Sequence, residues 1–516
     1  MNADMSKRGK GVRLSWPEGI VAVFVVSRGL AFAAGIQMDM SLQARSWQLL
    51  DPVLLQYDLG RSLLYLHSQP PLFNVIFAGL LQLEPQWRGP VATAVWNVAG
   101  LSTFILLYLT ATTIGVRSWL AGCCTLLFMV SPAAILYEKW FYPSEIEVFL
   151  LALTFFSLAS FARRPRVSNG IVFTSSCALL VLLRATYHPL VFAVIILMTW
   201  RLLRLSWTLV LTIAVLPLLL VTAWSVKNYV LFGATANSTW LGMNMARALS
   251  AGLSTPQLDD LQKRGVITDR PVPFGPPTAY PSYQPKVYGV AAVDRLYKSD
   301  GTPNFNAALY IAVAKQQQKE VLSAWRATFP EAFLRAQLSA YTLWLSPSDS
   351  SGFVSANRAR LGVYALRYQS LVMLTPQVSL TPHEEGGGSL TPDYRLLYPD
   401  SRALWWDMAT QVSWTNVALH LLALTGVIWA ISSGQRIGDR SLVTFAAVAG
   451  TLLFVKMIAS NLFEFGENDR FGYEVFPSLL LLALLGVEST VRVFARKPFV
   501  HRSQFRSKSA PAKDRG

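Results

Sequence analysis

Charge is scarce in this chain. Of its 516 residues only 14% are charged, against 53% hydrophobic, and the mean hydropathy is +0.37. A soluble domain of that length would have to expose more apolar surface than water tolerates, which excludes that class. Cysteine is nearly absent too. Cys123 and Cys124 are adjacent and Cys177 stands in another apolar run. They give neither a disulfide framework nor metal-ligand spacing, and they read as small core residues. No Walker loop, no glycine-rich dinucleotide fingerprint and no Cys/His set with zinc spacing occurs in the sequence. Energy for any reaction must therefore come from the substrate or from a gradient. No internal repeat stands out, which counts against the inverted-repeat plan of many transporters. No motif implies a cofactor; a divalent metal held between two outer carboxylates is left open.

Long apolar runs are what the chain has in abundance. A helix of about 17–25 apolar residues crosses a bilayer. Such runs fall near 19–38, 91–114, 118–137, 146–162, 170–187, 188–200, 206–224, 413–432, 441–460 and 474–494. An eleventh, 71–83, is short and follows the pair Pro70-Pro71. Proline suits a first helical turn, where its missing N–H is no loss. The run at 20–36 looks superficially like a signal peptide, but the many later spans favour a retained anchor. The expected class is an all-α polytopic membrane protein of about 10–11 transmembrane helices.

The net charge of +16 is uneven, concentrated in KRGKGVR (7–13) and in the 492–515 tail. Such clusters can bind nucleic acid, but beside membrane helices they mark the cytoplasmic side, so no nucleic-acid partner is expected. With both termini cytoplasmic the number of crossings is even. Ten satisfies this, and the 71–83 segment becomes a partial or tilted insertion. The domain plan is then a basic N-terminus (1–16), a membrane bundle (17–227) with a first outer loop (39–70), an extracytoplasmic segment (228–412), further spans (413–495) and a basic tail (496–516). The setting is the cell (inner or plasma) membrane. Within the outer segment, 320–345 is amphipathic and too charged to span. It would lie on the membrane or form an ordinary helix of an outer domain.

Polar side chains inside or beside apolar runs are the candidate functional residues. The first outer loop brings Asp39, Asp51, Asp58, Arg61 and His67 among Trp and Tyr. A carboxylate just above the bilayer can act as general base on an acceptor hydroxyl while nearby cations hold a lipid phosphate leaving group. Each also has a plainer role. Asp39 and Asp51 could be helix caps, Asp58 could pair with Arg61 on a helix, and His67 could serve as an interfacial hydrogen-bonding group. The 170–200 segment has room only for a tight hairpin, with Arg184 and His188 at its tip. They would bind phosphate, or Arg184 would snorkel. Lys227 and Lys456 read as substrate contacts or interface anchors. Glu138 and Glu145 flank an aromatic outer turn; either, Glu138 first, could touch the acceptor, and the plainer reading is a solvated loop charge. Glu464, Glu467 and Arg470 read as an ion-paired outer turn. Arg28 lies mid-run in the first span and calls for a partner inside the bundle. Asn237-Ser238-Thr239 matches a glycosylation sequon, a chance match in a bacterial protein.

An acidic residue after the first span, an amphipathic loop, then "HSQPPL" opening a helix is the layout of the GT-C membrane glycosyltransferases. The string "WQLLDPVLLQYDLGRSLLYLHSQPPLFN" resembles a bacterial branch of glycosyltransferase family 39, which includes dolichyl-phosphate-mannose protein mannosyltransferases and the lipid A aminoarabinose transferase. The likeness continues through "SPAAILYEKWFY", "LLRATYHPL", "WSVKNYVLFG" and "ENDRFGYEVFP". It covers most of the membrane part and little of 250–410. The resemblance implies a polyprenyl-phosphate sugar donor, a lipid, glycan or protein acceptor, and inverting transfer on the outer face. The family's acidic pair stands roughly 30 residues before the prolines, which selects Asp39; here Met40 breaks the pair, so Asp51 follows as second choice and Asp58 as third. A transporter or flippase of lipid-linked saccharides, or a polymerase or ligase, would share these substrates.

Overall fold

The computed structural model describes residues 15–41, 47–234, 237–269, 271–351, 354–376 and 411–494. The basic segment 7–13 and the tail from 495 lie outside the described residues, as do 377–410. Among the described residues the fold is all helical, with only isolated β-bridges. Proline opens many of the helices. Pro17, Pro52, Pro85, Pro132, Pro143 and Pro189 each stand in a first turn, where a fixed φ is preorganised for the helix.

Each of the eleven apolar runs contains a helix. Six are long and apolar enough to cross a membrane: Trp16–Ala33, Pro85–Thr113, Pro143–Arg163, Trp207–Phe232, Trp414–Ile437 and Arg440–Phe463. Asn468–Glu474 and Phe476–Val491 form a further span bent by 60°. Four apolar helices are shorter, Leu72–Leu81, Ser118–Met129, Val167–Leu183 and Pro189–Leu203. The helix after Pro71 has 10 residues. At about 1.5 Å per residue it reaches half-way through a hydrocarbon core. The Pro143–Arg163 helix is the centre of the bundle, with 78% of its apolar window buried against protein, whereas Trp16–Ala33 and Trp414–Ile437 bury 22% and present the rest outward.

A second layer of helices covers one end of the bundle. It is built from Leu241–Gly252, Thr255–Lys263, Leu309–Thr328 and Glu331–Leu345. The amphipathic 320–345 stretch is divided between the last two at Phe329-Pro330. Proline lacks the N–H to continue a helix and disfavours helical φ/ψ in the residue before it. The apolar side of its second half, including Ala332, Ala336 and Ala340, is buried against protein. Glycine sets how closely this layer packs. A Cβ on Gly242 would lie 1.8 Å from the Ala314 carbonyl oxygen, and one on Gly252 would lie 2.3 Å from that of Ala332.

In the membrane layer the Trp414–Ile437 helix meets the Phe476–Phe494 helix through Gly426 and Gly486 in the same way. A Cβ at Gly426 would sit 2.0 Å from the Leu482 oxygen, and one at Gly486 would sit 2.2 Å from that of Leu422. Lipid offers no hydrophobic drive for helices to associate, so close backbone approach and dispersion must hold the pair. Gly426→Ala and Gly486→Ala should each cost about 1–3 kcal/mol by overpacking. Gly29→Ala, where nothing lies within 4 Å, should be neutral or stabilising. Thermal unfolding of the purified protein in detergent checks this; equal midpoints for all three variants would refute the close-packed interface.

Candidate functional site

The site grows from charges that the apolar runs carry into the bundle. Glu147 lies in the first turns of Pro143–Arg163, Lys456 two turns before the end of Arg440–Phe463, and Arg184 at the tip joining Val167–Leu183 to Pro189–Leu203. Arg470 and Glu474 lie on the short arm of the bent span. All five side chains are buried. Glu147 meets the Lys456 ammonium at 2.7 Å and Arg184 Nε at 2.8 Å, and it accepts the Tyr187 hydroxyl at 2.8 Å. Glu474 meets Lys456 at 2.7 Å, Arg184 at 2.8 Å and Arg470 at 2.6 Å. It also accepts the Ser144 hydroxyl at 2.7 Å. Arg470 continues to Glu467, which Arg247 approaches at 3.5 Å. Unpaired, such ions would be prohibitively costly at this depth; here each has partners of opposite sign.

Beside this network is a cavity of about 240 Å³, lined by Gln48, Gln69, Arg184, His188, Asn244, Glu464 and Arg470 among others. Its remaining wall includes Leu241, Phe463 and Phe471. The cavity thus lies between the hairpin tip, the bent span and the covering layer.

The other sequence candidates fall in separate places. Asp39 is stitched to the turn at 137–145. Its N–H donates to the Lys139 carbonyl at 2.7 Å, and its carbonyl accepts from Phe141 N–H at 3.0 Å. Its half-buried carboxylate accepts the Ser41 N–H at 2.9 Å. Trp140, its bridge partner, stacks on Tyr142 at 4.0 Å, and Tyr142 lies under the Arg470 guanidinium at 4.9 Å. Asp39 is therefore coupled to the cavity wall through one aromatic stack. Asp51 is buried and caps Pro52–Tyr57, accepting from Val53 N–H and from the Ser299 N–H and hydroxyl. It ties the 39–70 loop to the covering layer. Arg61 is exposed and donates to the Gly289 carbonyl at 2.8 Å. Glu138 holds Arg28, with Nε to Oε2 at 2.7 Å, and the pair explains a charge in mid-span. Gly100 makes room for it, since a Cβ there would lie 2.6 Å from Glu138 Oε1. Lys227 donates to the Leu66 carbonyl and lies 3.5 Å from the centre of the Trp224 ring. Of the proposed substrate contacts, Arg184 and His188 line the cavity and Lys456 stands behind it.

Four positions, Lys456, Arg184, Glu138 and Glu145, differ from the plainest sequence reading. Lys456 and Arg184 do not snorkel, because carboxylates reach them inside the bundle. Glu138 and Glu145 are buried rather than solvated. The sequon residue Asn237 is 2% exposed, and its amide is bonded towards the Val181 and Tyr187 carbonyls, so no glycan fits there. Sequence reasoning passed over Glu147, Glu474, Gln48 and Asn244. A signal for the first two existed: buried Lys and Arg need carboxylates, and Glu147 and Glu474 stand at the start of apolar runs. The amides carry no such signal. Among the described residues no three His, Cys, Asp or Glu side chains come together as a metal site.

The sequence matches no family model and no curated protein. Among solved structures it is similar to the crystal structure of ArnT from Cupriavidus metallidurans bound to undecaprenyl phosphate. The identity is 13%, the match covers 92% of this chain and 78% of that chain, and the TM-score is 0.29. At that level neither a shared fold in detail nor shared chemistry follows.

Two outcomes are expected of the site. Glu474→Ala leaves buried cations unmatched and should cost about 3–5 kcal/mol. Adding Lys456→Met should recover part of that loss, as a double-mutant cycle of unfolding midpoints would reveal; strictly additive losses would contradict the coupling. His67 is fully buried, in contact with Thr239 at 2.8 Å through Nδ1. Burial, aided by the Lys227 charge, pushes it from 6.5 down to about 3. A lowered histidine contributes stability that is intact above about pH 6.5 and is lost as pH falls toward the folded value. Stability should drop by about 2 kcal/mol from this group between pH 7 and pH 5. The His67→Gln protein should lack that part of the slope; identical pH profiles would count against a neutral buried imidazole.

Proposed function

We propose that this protein is a membrane glycosyltransferase that moves a sugar from a polyprenyl-phosphate donor to an acceptor hydroxyl on the extracytoplasmic face. The observation that carries the reading is the polar cavity at the junction of bundle and covering layer, whose wall residue Arg470 lies over the Tyr142–Trp140 stack that borders the Asp39 loop. A chamber walled by amides, a carboxylate and aromatic rings, set where membrane helices end, suits a lipid-borne sugar. The ordered motifs of the first outer loop support the same assignment.

In the reaction the acceptor oxygen attacks the anomeric carbon, and its proton passes to the Asp39 carboxylate. The bond from that carbon to the phosphate oxygen breaks, and the electron pair leaves with the lipid phosphate, inverting the centre. Asp39 fits the base better than Asp51. Asp39 Oδ2 has no hydrogen-bond partner among the described residues, whereas both Asp51 oxygens are engaged. A general base must reach the proton it takes, so an engaged, buried carboxylate is the poorer choice.

Transfer from radiolabelled polyprenyl-phosphate hexoses to cell-envelope acceptors, by the purified protein in liposomes, tests this. Asp39→Asn should lower turnover by at least about 100-fold with donor binding retained, the lower end of what a general base supplies. Asp51→Asn should act mainly on stability, by about 1 kcal/mol, because an amide nitrogen in place of Oδ2 keeps the cap but cannot accept the Ser299 N–H. Equal turnover in Asp39→Asn and the parent would sink the assignment, and label crossing the bilayer with no bond formed would favour a flippase.

A further inference from the structure

The cations around the cavity are matched and outnumbered by carboxylates. Arg184, Arg247, Lys456 and Arg470 stand against Glu147, Glu464, Glu467 and Glu474. Asp469, on the Arg470 N–H, adds a further carboxylate. Both Nη groups of Arg470 touch carboxylates, as do Nε and Nη2 of Arg184. A phosphate entering here would lose its hydration and gain no uncompensated positive charge. Half-buried Glu464 would repel it.

What the cavity does offer is neutral hydrogen bonding. The Gln69 amide has no partner among the described residues, and Arg470 Nε is a buried donor without one. Gln48 and Asn244 are held only loosely, at 3.5 Å from Arg184 and 3.4 Å from Glu464. His188 turns Nδ1 to the Leu190 N–H. Amides that both donate and accept, in one cavity with Phe463 and Phe471, match a ring whose hydroxyls do the same and whose C–H face is apolar.

We infer that the cavity is a subsite for the uncharged, hydroxylated sugar ring of the donor, and that the lipid phosphate stays outside it. This rests on the transferase reading. It differs from assigning Arg184 to the phosphate, because that guanidinium is already neutralised.

The test is direct binding to the full-length protein in nanodiscs. The probes are polyprenyl phosphate, bare or carrying glucose, mannose or galactose. For the sugar bound best, Gln69→Ala and Asn244→Ala should each raise the Kd about tenfold and leave the Kd for bare polyprenyl phosphate within about twofold. Retained binding of the bare lipid shows that a variant is folded. Should an alanine variant lose both ligands, Gln69→Asn and Asn244→Ser must still show the split. Equal weakening of both ligands in the milder variants would put the phosphate in the cavity and overturn the inference while leaving the transferase reading intact. No weakening of either ligand would also overturn it. A parent protein that binds neither lipid would defeat the transferase reading itself, and this inference with it.

Discussion

Three cations converge on the carboxylate of Glu474, and much of the architecture follows from having to bury them. Lys456, Arg184 and Arg470 come from three separate elements, and Glu147 brings in a fourth. In the low dielectric of a membrane bundle an isolated ion costs several kcal/mol after relaxation, so these elements must meet in one arrangement or leave a charge bare. Such pairs add little net stability over an apolar core of the same shape. What they enforce is register. The hairpin tip, the end of Arg440–Phe463 and the bend of the last span are held to one depth, and that depth is where the cavity forms.

The bend belongs to the same constraint. Asn468–Glu474 and Phe476–Val491 meet at 60°, and the short arm carries both Arg470 and Glu474 to the charge centre. A straight helix would carry these side chains away from it. Above it, Gly242 and Gly252 let the Leu241–Gly252 helix lie almost backbone to backbone on its neighbours. The cover is thus thin and firm, and it closes the cavity with Asn244 on one face. Asp51, by holding Ser299, fastens the 39–70 loop to the same cover.

How much of this was legible beforehand varies with the physics of each feature. Hydrophobic run length fixed the class and the eleven helical segments, because lipid forces backbone groups to bond within their own helix wherever a run must cross. The double proline marked a helix start because proline's geometry acts locally. Arg28 announced its need for a partner by its position alone, and Glu138 is that partner. The anchor reading of Lys456 arose because its distance from the run's end permits snorkelling, and linear sequence does not reveal a carboxylate 309 residues away.

The sequence therefore determined a polytopic helical protein, its loop chemistry and the presence of ions that had to be matched, since these depend on composition and on neighbours along the chain. Which ions pair, that Asp51 is a tether while Asp39 stays open, and that a neutral amide-lined chamber lies beside a dense charge cluster were decided only by the tertiary structure. Those facts depend on contacts between residues hundreds of positions apart, made where burial sets the cost of every unpaired group.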